Sequence, residues 1–367
     1  MISVARSSPY LVHAIIESGN RFPLTIVGLL SSHAHLLCRL SDDYVVRWFR
    51  EDDLKWYVDG LNKALWSEYD EKVFNWKFRD NPFILGFTSI AVAEHVPTGI
   101  PVAFNSFLPM EVRVGGVYFT VFQGCDGFVD KAHRRQGLFQ RTIKFMVDEM
   151  RGRRPELLIG FNLVEAAEAA HKAGSALTYD IDKCMMGGEA FYRLRDRSGV
   201  EVEPISADQC HRLYEDWAED SELIHFHRSL PCLRWRIEGN PVRRVQPYRL
   251  VRKGEPDAYV VVDEVSEGGR LFLTIGDYPP GQLDNILPGV LACLNELHLG
   301  VTDVEVDTLR GDALEGASMR LGFTTAPWLK VIMKPINNMS QRGEAVYRGD
   351  MELSDVKRWH LTPSDVF

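Results

Sequence analysis

The segment WKFRDNP, Trp76–Pro82, recurs as WRIEGNP, Trp235–Pro241, with tryptophan, a basic residue and Asn-Pro at the same internal spacing. Because proline disfavours the helical conformation in the residue before it, each Asn-Pro is expected to end a helix. In each copy strand-like runs follow the motif, and then come a strand, a helix, a strand and a second helix. A chain of 367 residues has room for two such units. The sequence therefore predicts two tandem α/β units.

The boundaries of these units are predicted from composition and from the repeat. The stretch RDRSGVEVEP, 195–204, is typical of a linker. Within the units we predict a strand over 83–95 and a helix over 282–298, because the residues there are apolar or of helical periodicity. The predicted segments are an N-terminal extension 1–42, a first unit 43–197, a second unit 198–335 and a C-terminal tail 336–367.

The charge and the cysteines exclude several classes of protein. A net charge of −9 argues against binding nucleic acid, which requires clustered Lys and Arg. The six cysteines form no CxxC pair, and the His225–His227 segment has two histidines without a third ligand, so we predict no metal site. No apolar run is long enough to span a bilayer, and no secretory signal is recognisable. We expect a cytoplasmic protein.

The basic segment HRRQGLF, His133–Phe139, lies between a predicted strand and a predicted helix over 137–150. Apolar residues recur on one face of that helix, at Phe139, Ile143, Met146 and Met150. A helix start has unpaired backbone N–H groups and a partial positive charge. Two arginines and a glycine beside it favour a site for a pyrophosphate; the alternative is a solvated basic turn.

This loop resembles the pyrophosphate loop of the GCN5-related N-acetyltransferases, whose pattern is Q/R-x-x-G-x-G/A. Arg134 and Gly137 match it, whereas Phe139 stands where Gly or Ala is usual; a bulky residue there is also similar to the enhanced-intracellular-survival acetyltransferases. The resemblance implies an α/β (α+β) fold of two tandem domains, each a mixed, mostly antiparallel twisted sheet flanked by helices. The second domain is expected to be degenerate, because it has GDYPPGQLDN, 276–285, where the loop would stand, and acidic residues there repel phosphate.

The resemblance implies acetyl-CoA as the acyl donor and a small-molecule primary amine as the acceptor. The pantetheine is expected between two splayed strands, GCDGFV and LLIGF, with a backbone N–H near Phe128 or Val129 polarising the thioester carbonyl. The implied cofactor-binding residues are Phe128, Val129, Arg134, Arg135, Gln136, Gly137, Leu138, Phe139 and Asn162.

The acid and base are less constrained. A base is needed because an alkyl amine is mostly protonated near neutral pH. Asp126 is the first candidate; alternatively it bonds a neighbouring backbone group or faces solvent. Glu165 is a second candidate, with helix capping as the alternative. The position at which such enzymes often have a tyrosine acid is Ala170, so His171 and Tyr179 are the substitutes.

Three functions are compatible with these residues. The first is an N-acetyltransferase; its acceptor is suggested to be an amino sugar or sugar nucleotide, because the tail WHLTPSD resembles the ends of acetyltransferases of bacterial surface-polysaccharide synthesis. We expect this tail to fold back towards the acceptor pocket of the first domain. The second is an aminoacyl transferase of the peptidoglycan-bridge type, which generally lacks such a loop. The third is a non-catalytic acyl-CoA-binding protein.

Overall fold

The computed structural model describes residues 43–65, 68–195, 199–255 and 257–366, so the predicted extension 1–42 lies outside it. Its helices are α1 Leu54–Leu65, α2 Glu71–Phe78, α3 Leu138–Glu149, α4 Val164–Lys172, α5 Gly188–Phe191, α6 Ala207–Ala218, α7 Leu230–Ile237, α8 Leu287–Leu297 and α9 Ala313–Arg320. Within the described ranges no helix is both long and apolar enough to cross a membrane.

The strands belong to one large sheet and one small one. Those of the large sheet are β1 Tyr44–Trp48, β2 Ile90–His95, β3 Ile100–Val114, β4 Val117–Val129, β5 Leu157–Asn162, β6 Ala176–Gly187, β7 Val200–Pro204, β8 His225–Phe226, β9 Arg244–Arg252, β10 Ala258–Glu267, β11 Arg270–Asp277, β12 Asp303–Leu309 and β13 Thr324–Pro335. The tail forms the small sheet, from β14 Ser340–Arg342, β15 Ala345–Arg348 and β16 Met351–Glu352.

The large sheet runs through both repeats without a break. Its order is β1-β2-β3-β4-β5-β13-β6-β12-β11-β10-β9-β7, with β8 beside β3. Neighbours are antiparallel except for the pairs β4–β5 and β11–β12, which are parallel. The sheet is therefore mixed and mostly antiparallel, as predicted, and helices pack on both of its faces.

The two halves of this sheet exchange their last strands. β13, from the second half of the chain, pairs with β5 of the first half, while β6 of the first half pairs with β12 of the second. β6 and β13 pair with each other at the centre. Neither half has a complete sheet without a strand from the other, and the proposed boundary at 197/198 stays a prediction.

Three elements differ from the sequence prediction. Only Ile90–His95 of the predicted strand 83–95 is extended, because the Asn81 side chain accepts from the Phe83 N–H and holds the preceding residues in turns. The predicted linker 195–204 contains the edge strand β7, whose Val200 is buried. The predicted helix 282–298 begins only at Leu287, since Pro288 fits only the first turn of a helix.

The first half has a core on each face of its sheet. On one face α1 and α2 pack with Tyr57, Leu61 and Phe74 against β4, β5 and the exchanged strand β13. On the other face α3 and α4 bury Ile143, Met146 and Ala167 against the sheet. The apolar face predicted for α3 is thus confirmed, and the ends of β4 and β5 lie between these two layers.

Candidate functional site

The strands β4 and β5 are paired only over part of their length. Their parallel register runs from Val121–Leu157 to Gly124–Gly160, and the remaining five residues of β4 have no partner on that side. β5 continues to Asn162 paired with β13 on its other edge. The two strands therefore diverge beyond Gly124, at the place where GCDGFV and LLIGF were expected to splay.

A β-bulge interrupts β4 directly beyond this point. Phe104 of β3 pairs with Phe128 and Ser106 pairs with Cys125, so Asp126 and Gly127 face the single residue Asn105. Asp126 has a φ of 43°, in the left-handed region that non-glycine residues rarely adopt. The bulge redirects the main chain of β4 where it leaves β5.

The basic loop follows the end of β4 and leads into α3. The Arg134 side chain turns back and its Nε donates to the Val129 carbonyl at 3.2 Å. Arg135 and Gly137 have φ values of 67° and 68°, and residues 135–137 are exposed. Leu138 is 2% exposed and anchors the start of the helix. The loop thus presents backbone and guanidinium groups to solvent from a fixed base.

The first turn of α3 has no side-chain cap at Gly137. Its leading N–H groups have no partner within the helix, as at any helix start, and they point towards the exposed loop. A Cβ at Gly137 would meet only the Gln140 side chain, at 3.9 Å, so the approach to the backbone is open. This arrangement suits an anionic group such as the pyrophosphate of coenzyme A.

Phe139 does not cover this loop. Its ring is half-buried and packs with the core beneath α3 and α4. Its carbonyl accepts from Thr142 Oγ1 at 2.7 Å, and the same hydroxyl accepts from Asn105 Nδ2 at 3.3 Å. The unusual residue of the motif therefore joins the core, and the loop remains accessible.

Solved structures with a similar fold include a GCN5-related N-acetyltransferase from Anabaena variabilis, with a TM-score of 0.58 and 13% identity, covering 80% of this chain and 73% of that one. A GCN5-related N-acetyltransferase from Kribbella flavida has a TM-score of 0.56 and 11% identity, covering 80% and 72%. This chain has the GCN5-related N-acetyltransferase fold. Eis1 from Mycobacterium abscessus is also similar, with a TM-score of 0.50 and 14% identity, covering 80% and 74%. No family model and no curated protein matches the sequence.

The acetyltransferase fold bears out the resemblance read from the His133–Phe139 loop. It places the loop, the bulge and the diverging strands of the first half side by side. The predicted cofactor residues Phe128 and Val129 lie in β4 beyond the bulge, and Asn162 ends β5, where its amide lies over Gly160. Asn162 is 6% exposed. The roles of these residues remain predictions.

Asp126, the first candidate for the base, is buried in this acetyltransferase fold. Its carboxylate Oδ2 lies 2.6 Å from Lys77 Nζ on α2, and both side chains are at most 2% exposed. The carboxylate is therefore held by a cation and does not face solvent. Lys77 was not singled out from the sequence, although its place beside Trp76 in the repeated motif was a signal for it.

The other three candidates lie on elements other than β4. Glu165 is exposed in the first turn of α4, where its charge suits the helix dipole. His171 is exposed near the end of the same helix, and its Nδ1 lies 2.9 Å from the Ser175 carbonyl. Tyr179 lies on β6, and burial, followed by the charge of Asp365, raises the pKa of its hydroxyl well above the usual range. A phenol in that state is protonated and can donate its proton.

The second half has a matching but filled crevice. β11 and β12 are paired as far as Thr274–Glu305, and the tail turn Pro363–Asp365 packs against both strands. The Ser364 hydroxyl lies 2.9 Å from where a Cβ of Gly276 would stand. The tail occupies the place that corresponds to the diverging strands of the first half, and that this half holds no cofactor stays a prediction.

Buried contacts fix the tail in this position. Arg228 donates to Asp277 through Nε at 2.9 Å and pairs with Asp365 at 2.7 Å. Trp359 joins the core of the first half and contacts Phe226, which also contacts Phe161 of β5. The tail therefore touches both halves, and its aromatic contacts extend to the end of β5.

The histidines of the HFH segment have protein partners. His225 is fully buried between the Tyr214 hydroxyl and the Leu223 carbonyl, and His227 pairs with Glu111 at 2.7 Å. Among the residues that the structure describes, no group of three His, Cys, Asp or Glu side chains is arranged to hold a metal ion.

Proposed function

We propose that this protein transfers an acyl group from acetyl-CoA to a primary amine of a small molecule. The observation that supports the proposal is that two features, a gap between strands and a basic loop, lie next to each other in the first half. The strands β4 and β5 diverge beyond Gly124, and the exposed loop 134–137 opens α3 at the end of β4. One crevice thus offers a channel for an extended chain and a site for its pyrophosphate.

The thioester supplies an activated acyl group, and the residues of the first half bind and orient it. Arg134, Arg135 and the amides that start α3 neutralise the pyrophosphate. The main chain of β4 near Phe128 directs N–H groups to the side left unpaired by β5, where they stabilise negative charge on the carbonyl oxygen. The amine loses a proton to a base, for which Glu165 remains a candidate, and the leaving thiolate takes a proton from an acid, for which His171 and Tyr179 are the candidates.

Direct attack of the amine is favoured over a covalent acyl-enzyme. Cys125 lies beside the bulge, but burial, followed by the charge of Asp126, raises the pKa of its thiol far above the usual range. A thiol held neutral is a poor nucleophile. The acyl group therefore passes from the donor to the amine without stopping on Cys125.

An amino sugar or sugar nucleotide is the proposed acceptor class, on the strength of the tail. Trp359 and Phe226 connect the tail to Phe161 at the end of β5, next to the crevice. These ring contacts hold the tail on the α1–α2 face of the sheet, and their closeness to the end of β5 supports an acceptor site beside the tail.

The experiment is thiol release from acetyl-CoA over a panel of amino sugars, sugar nucleotides and simple alkyl amines. We expect release with at least one amine, and a higher melting temperature when coenzyme A is added. Arg134→Ala and Arg135→Ala are expected to remove that stabilisation, whereas Arg153→Ala, an exposed arginine in another turn, is expected to retain it. Stabilisation that survives both loop substitutions would show that the loop is the wrong site.

A second candidate is an acyl-CoA-binding protein without catalysis. It is favoured by one observation: Asp126, the first candidate base, is buried against Lys77 and is not accessible to solvent. Stabilisation by coenzyme A without thiol release for any amine would support this candidate over the enzyme.

A further inference from the structure

The bulge in β4 is held from outside the strand by a buried ion pair. Lys77 of α2 reaches across the core of the first half, and its Nζ lies 2.6 Å from Asp126 Oδ2. Lys77 is 0% exposed and Asp126 is 1% exposed. Burying this pair removes two charged groups from water, and their mutual attraction offsets that free-energy cost only if the geometry of the pair is good.

The backbone at Asp126 is strained, and several neighbours enforce its conformation. Its φ of 43° lies in the left-handed region, which non-glycine residues keep only where the surroundings impose it. The Asp126 carbonyl accepts from Ser106 Oγ at 3.3 Å, and Ser106 Oγ in turn lies 2.9 Å from the Tyr57 hydroxyl. The bulge is thus fixed through its carboxylate and through its carbonyl.

The helix that carries Lys77 is fixed in turn by the second half of the chain. Trp76 precedes Lys77, and its indole stacks on Trp235 of α7 with the ring centroids 5.1 Å apart. Each indole N–H donates to the carbonyl of the other tryptophan, at 2.9 Å and 2.7 Å. A series of contacts therefore runs from the second half, through α2, to the bulge.

We propose that Lys77 and Asp126 are positioning residues, which hold the β4 bulge so that the N–H groups near Phe128 face the acyl carbonyl, and that Trp235 of the second half keeps Lys77 in place. This inference rests on the proposed function and assigns Asp126 a role other than general base. It also gives the degenerate half a task, since it supports the geometry of the site that the first half forms.

The test is a double-mutant cycle of Lys77→Met, Asp126→Asn and the two combined. We expect each single substitution to lower kcat at least about tenfold, with KM for acetyl-CoA changed less than about threefold, because the bulge moves while the pyrophosphate loop does not. The combined variant is expected to be no more impaired than either single variant, because both substitutions break the same contact. A general base would give another pattern, in which Asp126→Asn abolishes turnover while Lys77→Met, which keeps the carboxylate, retains most of it, and that pattern would overturn the proposal.

Two further variants separate positioning from stability. Lys183→Met removes another buried cation, paired with Glu305 at 3.0 Å, and is expected to lower the melting temperature with kcat unchanged. Trp235→Phe keeps the ring but loses the donated hydrogen bond, and is expected to lower kcat with little change in KM. If Trp235→Phe and Lys183→Met behave alike, the second half does not position the bulge.

Hydrogen exchange of the segment 121–130 is a readout that requires no activity. We expect faster exchange in Lys77→Met and in the combined variant than in the wild type. Absence of thiol release from the wild type would count against the proposed function, whereas unchanged exchange in Lys77→Met would count against the positioning pair alone.

Discussion

Trp76 and Trp235 stack with their ring centroids 5.1 Å apart and an interplanar angle of 27°, and each indole N–H donates to the other residue's carbonyl. They are the first residues of the two repeated motifs, WKFRDNP and WRIEGNP. A reciprocal contact, in which each residue donates to the other the same hydrogen bond that it accepts, is typical of twofold symmetry. The repeats therefore meet at a local twofold relation, across which β6 and β13 also pair.

Loss of either tryptophan is expected to destabilise the whole fold. Trp235→Ala removes a 6% exposed indole and the hydrogen bond that it donates, and leaves the Trp76 carbonyl without that donor beside a cavity, so we expect a loss of about 3–5 kcal/mol in the free energy of unfolding. Urea titration measures it. Trp56→Ala, at a residue 47% exposed, is the control and should cost less than about 1 kcal/mol. Equal losses at the two positions would contradict the importance of this stacked pair.

Substitution of Gly137 is expected to weaken coenzyme A binding beyond its effect on stability. Gly137 and Gly152 have φ values of 68° and 72°, so alanine carries a similar backbone strain at either position, about 1 kcal/mol. Only Gly137 opens α3 beside the basic loop. We expect Gly137→Ala to raise the Kd for coenzyme A severalfold in calorimetry and Gly152→Ala to leave it unchanged. The same Kd in both variants would remove the glycine from the site.

The tail is expected to depend on Arg228 for its attachment. Arg228→Met would leave the carboxylates of Asp277 and Asp365 buried without their cation, which costs about 3–5 kcal/mol when one partner of a buried pair is removed. Arg234→Met, on the helix α7 that follows Arg228 and in an exposed pair with Asp208, is the control and should cost under about 1 kcal/mol. Both values come from urea unfolding.

Removal of residues 355–367 tests the tail's part in function. Trp359, His360 and Asp365 are buried, so truncation is expected to lower the melting temperature by several degrees. We also expect reduced turnover of the amine, because Trp359 and Phe226 connect the tail to the end of β5. A truncated chain that is less stable but equally active would rule out a role for the tail at the acceptor pocket.

The stability of the protein is expected to fall in mild acid because of His225. Burial, followed by the charge of Arg228, lowers its pKa from 6.5 to about 3. Between these values the unfolded chain binds a proton that the folded chain does not, so stability present above the unfolded pKa is lost as the pH falls. His225 alone should account for about 2 kcal/mol between pH 7 and pH 5. Urea unfolding of the wild type and of His225→Gln at both pH values measures this change in the free energy of unfolding. If the two proteins lose the same stability between pH 7 and pH 5, the loss is not due to His225.

Several elements of the fold were predictable because their causes are local. The recurrence of apolar residues on one helical face predicted α3, which forms over 138–149 within the predicted 137–150. The helix 282–298 was predicted too long, because Pro288 outweighs an apolar periodicity. The strand 83–95 was shortened by the Asn81 side chain, a contact that depends on geometry and not on composition.

The candidate site divides in the same way. The loop 134–137 is a local motif. Its glycine, its arginines and its position before a helix could all be recognised from the sequence. The sequence located Asp126 correctly on β4. Its partner Lys77 is 49 residues away in sequence, so the burial of Asp126 and its pairing with Lys77 were not predicted. A carboxylate on a strand is a base or a structural anion depending on what lies opposite it, and only packing decides that.

The sequence by itself determined that the chain carries a repeated motif and that one copy is followed by a basic, glycine-containing loop before a helix, because repeats, charges and periodicities are properties of order along the chain. Only the tertiary structure decided that the copies exchange strands, that Trp76 meets Trp235, and that the tail fills the second crevice. Those outcomes depend on which distant surfaces bury one another, and burial is a property of the folded chain as a whole.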